Sequence, residues 1–277
     1  MVRKFALVVA AVVPLAACGG GGGGAAAPMQ ARTGTAPTST ASMTEPAPEP
    51  LTTFGVYFLR DEKLAPVYRA VPQTQAVGTA ALRALLAGPT AEERSAGFSS
   101  AIPPGTELLS LGVRDAAALV DLSRELEPTP GTVPAETLAQ LVFTLTQFPS
   151  VHGAWVAVQG EPFGSQSRPL RRGDFADLTP LILIERPAWG EPVTSPIAVS
   201  GTASVFEATL RARLEGPNGE KLWEDTVTAS EGAPGRGTFT VEIPFAASGP
   251  GKLVAFEPSA NDGSPLHTFE VEVALTP

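Results

Sequence analysis

One cysteine, Cys18, occurs in the whole chain of 277 residues, and this limits how anything here can be held together. No disulfide can form within the chain, and no thiolate cluster can grip a metal. Whatever folds must do so on an apolar core alone. Cys18 closes the run Leu15-Ala16-Ala17-Cys18. Arg3 and Lys4 stand ahead of an apolar stretch from Phe5 to Ala17. A charged start, a short apolar stretch and small residues at a cleavage point make an export signal. The stretch is too short for a spanning helix, which needs ~20 residues.

The Leu15-Ala16-Ala17-Cys18 run resembles the lipobox of bacterial lipoproteins. The resemblance implies that residues 1–17 are a lipoprotein signal peptide, cut off before Cys18, whose thiol is acylated. An ordinary signal peptide with a stray cysteine is the plainer alternative. Removing Arg3 and Lys4 leaves 17 basic residues against 28 acidic ones, taking the net charge from -9 to -11. An acidic surface repels nucleic acid and anionic headgroups, so no nucleic-acid partner is expected. The membrane would be held through acylated Cys18, at roughly 0.8 kcal/mol per buried methylene. The expected location is outside the cell interior, anchored to the outer face of the cytoplasmic membrane.

Gly19 to Gly24 is a run of six glycines, and through Pro50 the chain is almost all Ala, Gly, Pro, Ser and Thr. Such a stretch buries too little apolar surface to offset its ordering entropy. Residues 18–50 are therefore expected to be a lipid-anchored disordered tether with a reach of roughly 30 Å.

Beyond it the pattern divides near residue 180. In residues 51–178 strands alternate with helices. Thr53 to Leu59 and Val67 to Val71 read as a hairpin. Val77, Ala81, Leu82, Leu85 and Leu86 share one helical face, stopped by Gly88 and Pro89. Thr90-Ala91-Glu92-Glu93 is a capping box. Glu107 to Val113 and Ala116 to Asp121 read as strands turning at Arg114-Asp115. Pro134 opens a helix as its first residue, with the stripe Leu138, Leu141, Val142, Leu145 and Phe148, and Ala154 to Val158 is the last strand. This predicts an α+β domain, a sheet with helices on one face. In residues 179–277 only strand patterns appear. Leu210, Ala212 and Leu214 alternate with Arg211 and Arg213, and Gly216-Pro217-Asn218-Gly219 turns to Lys221–Thr228. Phe239, Val241, Ile243 and Phe245 alternate likewise, as do Phe269, Val271, Val273 and Leu275. Short strands at regular spacing predict an all-β sandwich.

Several blocks of the first half resemble the GerMN domain of sporulation and germination proteins. They are Tyr57-Phe58-Leu59, Leu85-Leu86-Ala87-Gly88-Pro89-Thr90 with Glu93, Ala101-Ile102-Pro103-Pro104-Gly105-Thr106, Val120-Asp121-Leu122-Ser123, and the run from Gln140 to Phe148. Ser195-Pro196, Val199-Ser200-Gly201-Thr202-Ala203, Val205-Phe206-Glu207 and the run from Phe256 to Gly263 are similar to the immunoglobulin-like domain of bacterial spore germination. The resemblance implies an envelope protein without enzymatic activity. GerMN domains are similar to ring-building motifs, which stack edge to edge, so it also implies envelope-protein partners or self-association. Relatives occur in organisms that make no spores.

Little in the sequence points to chemistry. No HExxH, GxSxG or Walker A motif occurs. His152 and His267 read as loop and strand-end residues. No catalytic residue, metal or cofactor is expected. Glu207, Glu257 and Asp262 are the candidates for a weak cation or polar-ligand site at one sandwich edge. The alternative is that Asn261-Asp262-Gly263 is only a turn and the glutamates pair with Arg211 or Arg213. Asp121 reads as a surface ligand or as a turn or cap. Trp155, Trp189 and Trp223 read as core or interface packing, or as glycan-stacking platforms. The leading reading is a non-catalytic, lipid-anchored envelope scaffold. Its rivals are a binding module for peptidoglycan or another wall polymer, and a wall-polymer hydrolase or its accessory subunit.

Replacing Cys18→Ser is expected to abolish acylation and move the protein out of the membrane fraction. Mass spectrometry of the native protein checks this, since an unmodified Cys18 or a mature start elsewhere overturns it.

Overall fold

Phe54-Gly55-Val56-Tyr57-Phe58-Leu59 is apolar without alternation, which is the pattern of a strand covered on both faces. The computed structural model describes residues 50–277 except Ser165, so the signal segment, Cys18 and most of the tether lie outside the described residues. In it this run is the buried middle of β1 (Leu51–Arg60), paired antiparallel with β2 (Lys63–Pro72). Asp61 and Glu62 join them, both at positive φ, as a two-residue hairpin turn of the right-twisted kind demands.

The next elements follow local sequence signals. Helix α1 (Val77–Leu86) buries Ala81, Leu82 and Leu85, and Gly88 follows at φ 75°. Helix α2 (Ala91–Ser95) starts from the predicted capping box: Thr90 Oγ1 accepts from Glu93 N–H and Glu93 Oε2 accepts from Thr90 N–H. Strands β3 (Leu108–Arg114) and β4 (Ala117–Leu122) turn at Asp115-Ala116, one residue later than expected. Helix α3 (Ala135–Leu145) is capped by Pro134, which stands just outside the helix and not at its first position. β5 (Gly153–Val158) runs parallel to β4, and β6 (Glu161–Pro162) closes a four-stranded sheet in the order β3-β4-β5-β6.

The hairpin β1–β2 does not join that sheet; it forms a two-stranded sheet of its own. Helix α3 packs against β1 and against β5. This burial on two sides covers every residue from Thr137 to Leu145, where a single stripe was expected. Leu138, Leu141, Val142 and Leu145 are in the core as predicted, and Phe148 packs against it beyond the helix end.

Burying Thr137, Gln140 and Thr144 costs free energy unless each finds partners, and the strand edge supplies them. Residues Gly55, Tyr57 and Leu59 point their backbone groups away from β2, and no strand lies on that side. Gln147 receives Gly55 N–H on Oε1 at 2.9 Å and donates to Gly55 O at 2.7 Å. Thr144 Oγ1 accepts from Tyr57 N–H at 3.1 Å, and Gln140 Nε2 donates to Tyr57 O at 3.1 Å. Ser99 exchanges both backbone bonds with Leu59. Gln140 Oε1 and Thr137 Oγ1 also bond the backbone of Ala101.

The second half is two packed sheets. Their strands are β7 (Ile182–Arg186), β8 (Glu191–Thr194), β9 (Ile197–Ala203), β10 (Thr209–Glu215), β11 (Lys221–Thr228), β12 (Gly237–Ile243), β13 (Gly249–Pro258) and β14 (Pro265–Thr276). One sheet has the order β11-β10-β13-β14-β8, the other β12-β9-β7. The predicted alternation holds: Leu210, Ala212, Leu214, Phe239, Ile243, Phe269, Val271, Val273 and Leu275 are buried. Gly201 has a steric reason, because a Cβ there would lie 2.1 Å from Leu183 O and 2.8 Å from the Phe239 ring. The fold is α+β followed by an immunoglobulin-like sandwich. Packing runs across the change of pattern, and the described residues form one compact unit.

Two outcomes test these contacts. Leu141 is fully buried, so Leu141→Ala is expected to cost ~2–5 kcal/mol. Gln140→Leu adds apolar bulk yet orphans Tyr57 O and Ala101 N–H, and is expected to cost ~1–3 kcal/mol. Chemical denaturation measures both. The second outcome concerns acid. Burial alone would raise the Glu93 carboxyl, but the Arg69 guanidinium on both its oxygens, with the Thr90 cap, holds it below the usual range. A depressed folded-state value stabilises fully above the unfolded pKa of about 4.3. That contribution is lost as pH falls through the folded value. Glu93→Gln should flatten this acid limb in thermal midpoints measured from pH 7 downward.

Candidate functional site

The strand β1 that α3 holds also carries the main polar contact between the two halves. Tyr57 is buried among Phe143 and its neighbours, with ring centroids 5.4 Å apart. Its hydroxyl donates to Glu185 Oε2 on β7 at 2.9 Å. Arg172, in the short helical turns Arg172–Leu178 between the halves, donates to the same oxygen at 2.7 Å. Arg172 Nε donates to Thr146 Oγ1 at 2.7 Å, and the guanidinium lies over the Phe143 ring at 4.7 Å. Burial and then the Glu185 charge push the Tyr57 phenol far above its ordinary range, so it stays a donor. Burial pulls Arg172 down, but its neighbours Tyr57 and Glu185 outweigh it and the net direction is up. The cluster is a clamp: one Glu185 oxygen accepts two donors, and both donors belong to other elements.

A second seam lies on the far edge of the hairpin. Tyr68 N–H donates to Trp189 O at 2.9 Å and Trp189 N–H to Pro66 O at 3.0 Å, so the segment before β8 extends the hairpin. The Trp189 ring meets Phe98 edge-on at 5.4 Å, and its Nε1 is buried without a partner. Arg60 adds a bond to Glu270 O. A groove of about 900 Å³ opens along this seam, lined by Tyr68, Glu93, Trp189, Pro217, Lys252 and Glu272. A second trough, of about 680 Å³, lies on the outward face of the β3–β6 sheet around Leu119, Asp121 and Trp155.

The residues singled out from sequence do not converge. Glu257 Oε1 accepts from Phe206 N–H at 2.8 Å, and its other oxygen lies 3.7 Å from His267 Nε2. Glu207 sits in that loop at φ 51°. Asp262 Oδ1 accepts from both the backbone and the hydroxyl of Ser264, as a turn residue does. The arginine pairings expected for the glutamates are not made: Arg211 pairs with Glu224 and Arg213 with Glu215, each beside it in the same sheet. Among the described residues no group of three or more His, Cys, Asp or Glu is placed to hold a metal. Asp121 Oδ1 accepts from Gly160 N–H at 2.8 Å, and His152 is an exposed loop residue whose N–H donates to Ala116 O at 2.7 Å. Trp189 is at the seam between the halves, while Trp155 and Trp223 are half-buried on sheet faces.

Sequence reasoning missed the Tyr57–Arg172–Glu185 clamp and the polar face of α3. The clamp joins positions up to 128 residues apart, which no local pattern marks. The helix did carry a signal. Thr137, Gln140, Thr144 and Gln147 fall three and four apart on one face, and none is charged. A solvent face of that length would ordinarily bear charges.

Residues 55–164 match the family model for sporulation and spore germination, and residues 181–264 that for the immunoglobulin-like domain of bacterial spore germination. No curated protein matches the chain. Among solved structures, the tandem GerMN domains of the sporulation protein GerM from Bacillus subtilis align at 16% identity, over 70% of this chain and 62% of that one, with a TM-score of 0.39. The first GerMN domain of the same protein aligns at 22% identity, over 44% of this chain and 99% of that one, with a TM-score of 0.36. This chain thus carries a GerMN-type domain of the sporulation and spore germination family, followed by the immunoglobulin-like domain of bacterial spore germination.

Proposed function

We propose that this protein is a non-catalytic, lipid-anchored envelope scaffold, exported and held by acylated Cys18 at the outer face of the cytoplasmic membrane. Its GerMN-type domain engages envelope proteins or further copies of itself. One observation carries the reading: buried Tyr57 and half-buried Arg172 both donate to Glu185 and so clamp the two domains together. Such a clamp suits a part whose two surfaces must keep a fixed relation. The second seam, where Trp189 extends the hairpin, adds to the same rigidity. The matched families are sporulation and germination domains, which supports an envelope role. No helix among the described residues is long and apolar enough to cross a membrane.

In-cell crosslinking and complementation of a deletion strain test this, with protein levels measured alongside. Alanine at His152, Glu207 or Glu257 is expected to leave abundance, crosslinks and phenotype largely intact. Arg172→Ala is expected to lose crosslinks and phenotype together. A polar variant that is abundant and folded yet behaves as a null would show that chemistry resides there, and the scaffold reading would fall.

A further inference from the structure

The outward face of the four-stranded sheet holds a trough that a scaffold does not require. Helix α3 packs on the other face, so this face is not core. Register sorts its side chains into three rungs. One rung holds Arg114, Ala117 and Gly153; the middle one holds Gly112, Leu119 and Trp155; the last holds Ser110, Asp121 and Ala157. Rungs two residues apart along a strand are about 6.6 Å apart, so the outer rungs lie about 13 Å from each other. The small residues Ala117 and Ala157 leave room around the indole, and Pro162 and Pro169 add walls. The resulting volume of about 680 Å³ is in the range of small-ligand sites.

The chemistry is graded along the trough. At one end Arg114 is exposed, and its nearest carboxylate, exposed Asp115, stands 3.9 Å away. In the middle a half-buried indole lies beside Leu119. At the other end are the Ser110 hydroxyl and the Asp121 carboxylate, whose Oδ1 already accepts from Gly160. The apolar floor is one indole and one leucine wide, far smaller than the apolar centre of a stable protein interface. It matches a ligand that is flat and apolar on one side and rich in hydroxyls and amides at its rim. A net charge of -9 disfavours a polyanion, while a lone Arg114 suits isolated carboxylates.

We propose that this trough binds a short stretch of amino-sugar glycan carrying carboxylates, as wall polymers do. The C–H face of one sugar ring stacks on Trp155 and Leu119. Its hydroxyl and amide groups bond Asp121 and Ser110, and a carboxylate pairs with Arg114. The site deepens the envelope reading and rests on it, since only an exported chain meets such a polymer.

The test is titration of the protein, purified in detergent, with neutral chitotetraose and with muramidase-released peptidoglycan fragments, read by calorimetry and tryptophan fluorescence. Both probes are expected to bind. Trp155→Ala should weaken both by about tenfold with the thermal midpoint retained. Arg114→Ala should weaken only the carboxylate-bearing fragments. Ala157→Gln fills the trough while keeping the indole, and should weaken both probes even if Trp155→Ala folds poorly. Absence of binding by either probe overturns the proposal, and so does unchanged binding in Ala157→Gln. Because the titration needs neither anchor nor partner, saccharide binding with no crosslinked partner would sink the scaffold reading alone. Crosslinks without saccharide binding would sink the trough alone.

Discussion

The open edge of β1 is the constraint around which the first domain is arranged. A buried strand edge presents N–H and C=O groups that must be paired, because each one left unpaired costs about 1–3 kcal/mol. In most sheets another strand does this. Here Gln140 and Thr144 of α3 and Gln147 just beyond its end do it, and Ser99 completes the row at Leu59. The result is a helix with almost no solvent face, held in place by direction-specific bonds as well as by the non-directional packing of Leu138, Leu141, Val142 and Leu145. It also explains why the hairpin and the four-stranded sheet stay separate: α3 fills the place where a strand would have merged them.

Fixing β1 has a consequence at the other domain. Tyr57 takes its backbone bonds from α3 and sends its hydroxyl to Glu185 on β7. The residue that anchors the helix therefore also anchors the sandwich. Arg172 closes the contact from the connecting segment, where its guanidinium stacks on Phe143 of α3 and bonds Thr146 just beyond the helix end. A half-buried carboxylate is tolerable when donors are supplied to it, and here the two donors come from β1 and from the connecting segment. The hairpin's far edge meets Trp189, so β1–β2 is gripped on one side by α3 and on the other by the start of the sandwich.

With the inner surfaces committed to packing, function is left to the outer ones. The sandwich tip spends Glu257 on a loop backbone and Asp262 on its own turn. The face of the β3–β6 sheet keeps unspent groups: a half-buried indole, a weakly paired guanidinium and a carboxylate with one oxygen in use. A scaffold that holds its domains in fixed relation can present such a face steadily to a polymer, so the two readings are compatible in one molecule.

What the chain determined by itself is what local physics can set. The Thr90–Glu93 capping box, the Gly88 helix stop and the alternation of β10 and β14 depend on neighbours within a few residues, and each is legible from them. The absence of a second cysteine settled that a core, and no crosslink, must hold the fold. Only the tertiary structure decided which strand edge α3 would serve, that Pro134 would cap and not begin it, and that Tyr57 and Glu185 would meet across 128 residues. It also decided that Arg211 and Arg213 would take carboxylates of their own sheet, leaving Glu257 to a backbone amide. The physical reason is the same in each case. Periodicity reports which side of an element is apolar, whereas the pairing of buried polar groups depends on what lies opposite, and that is set only when distant elements pack.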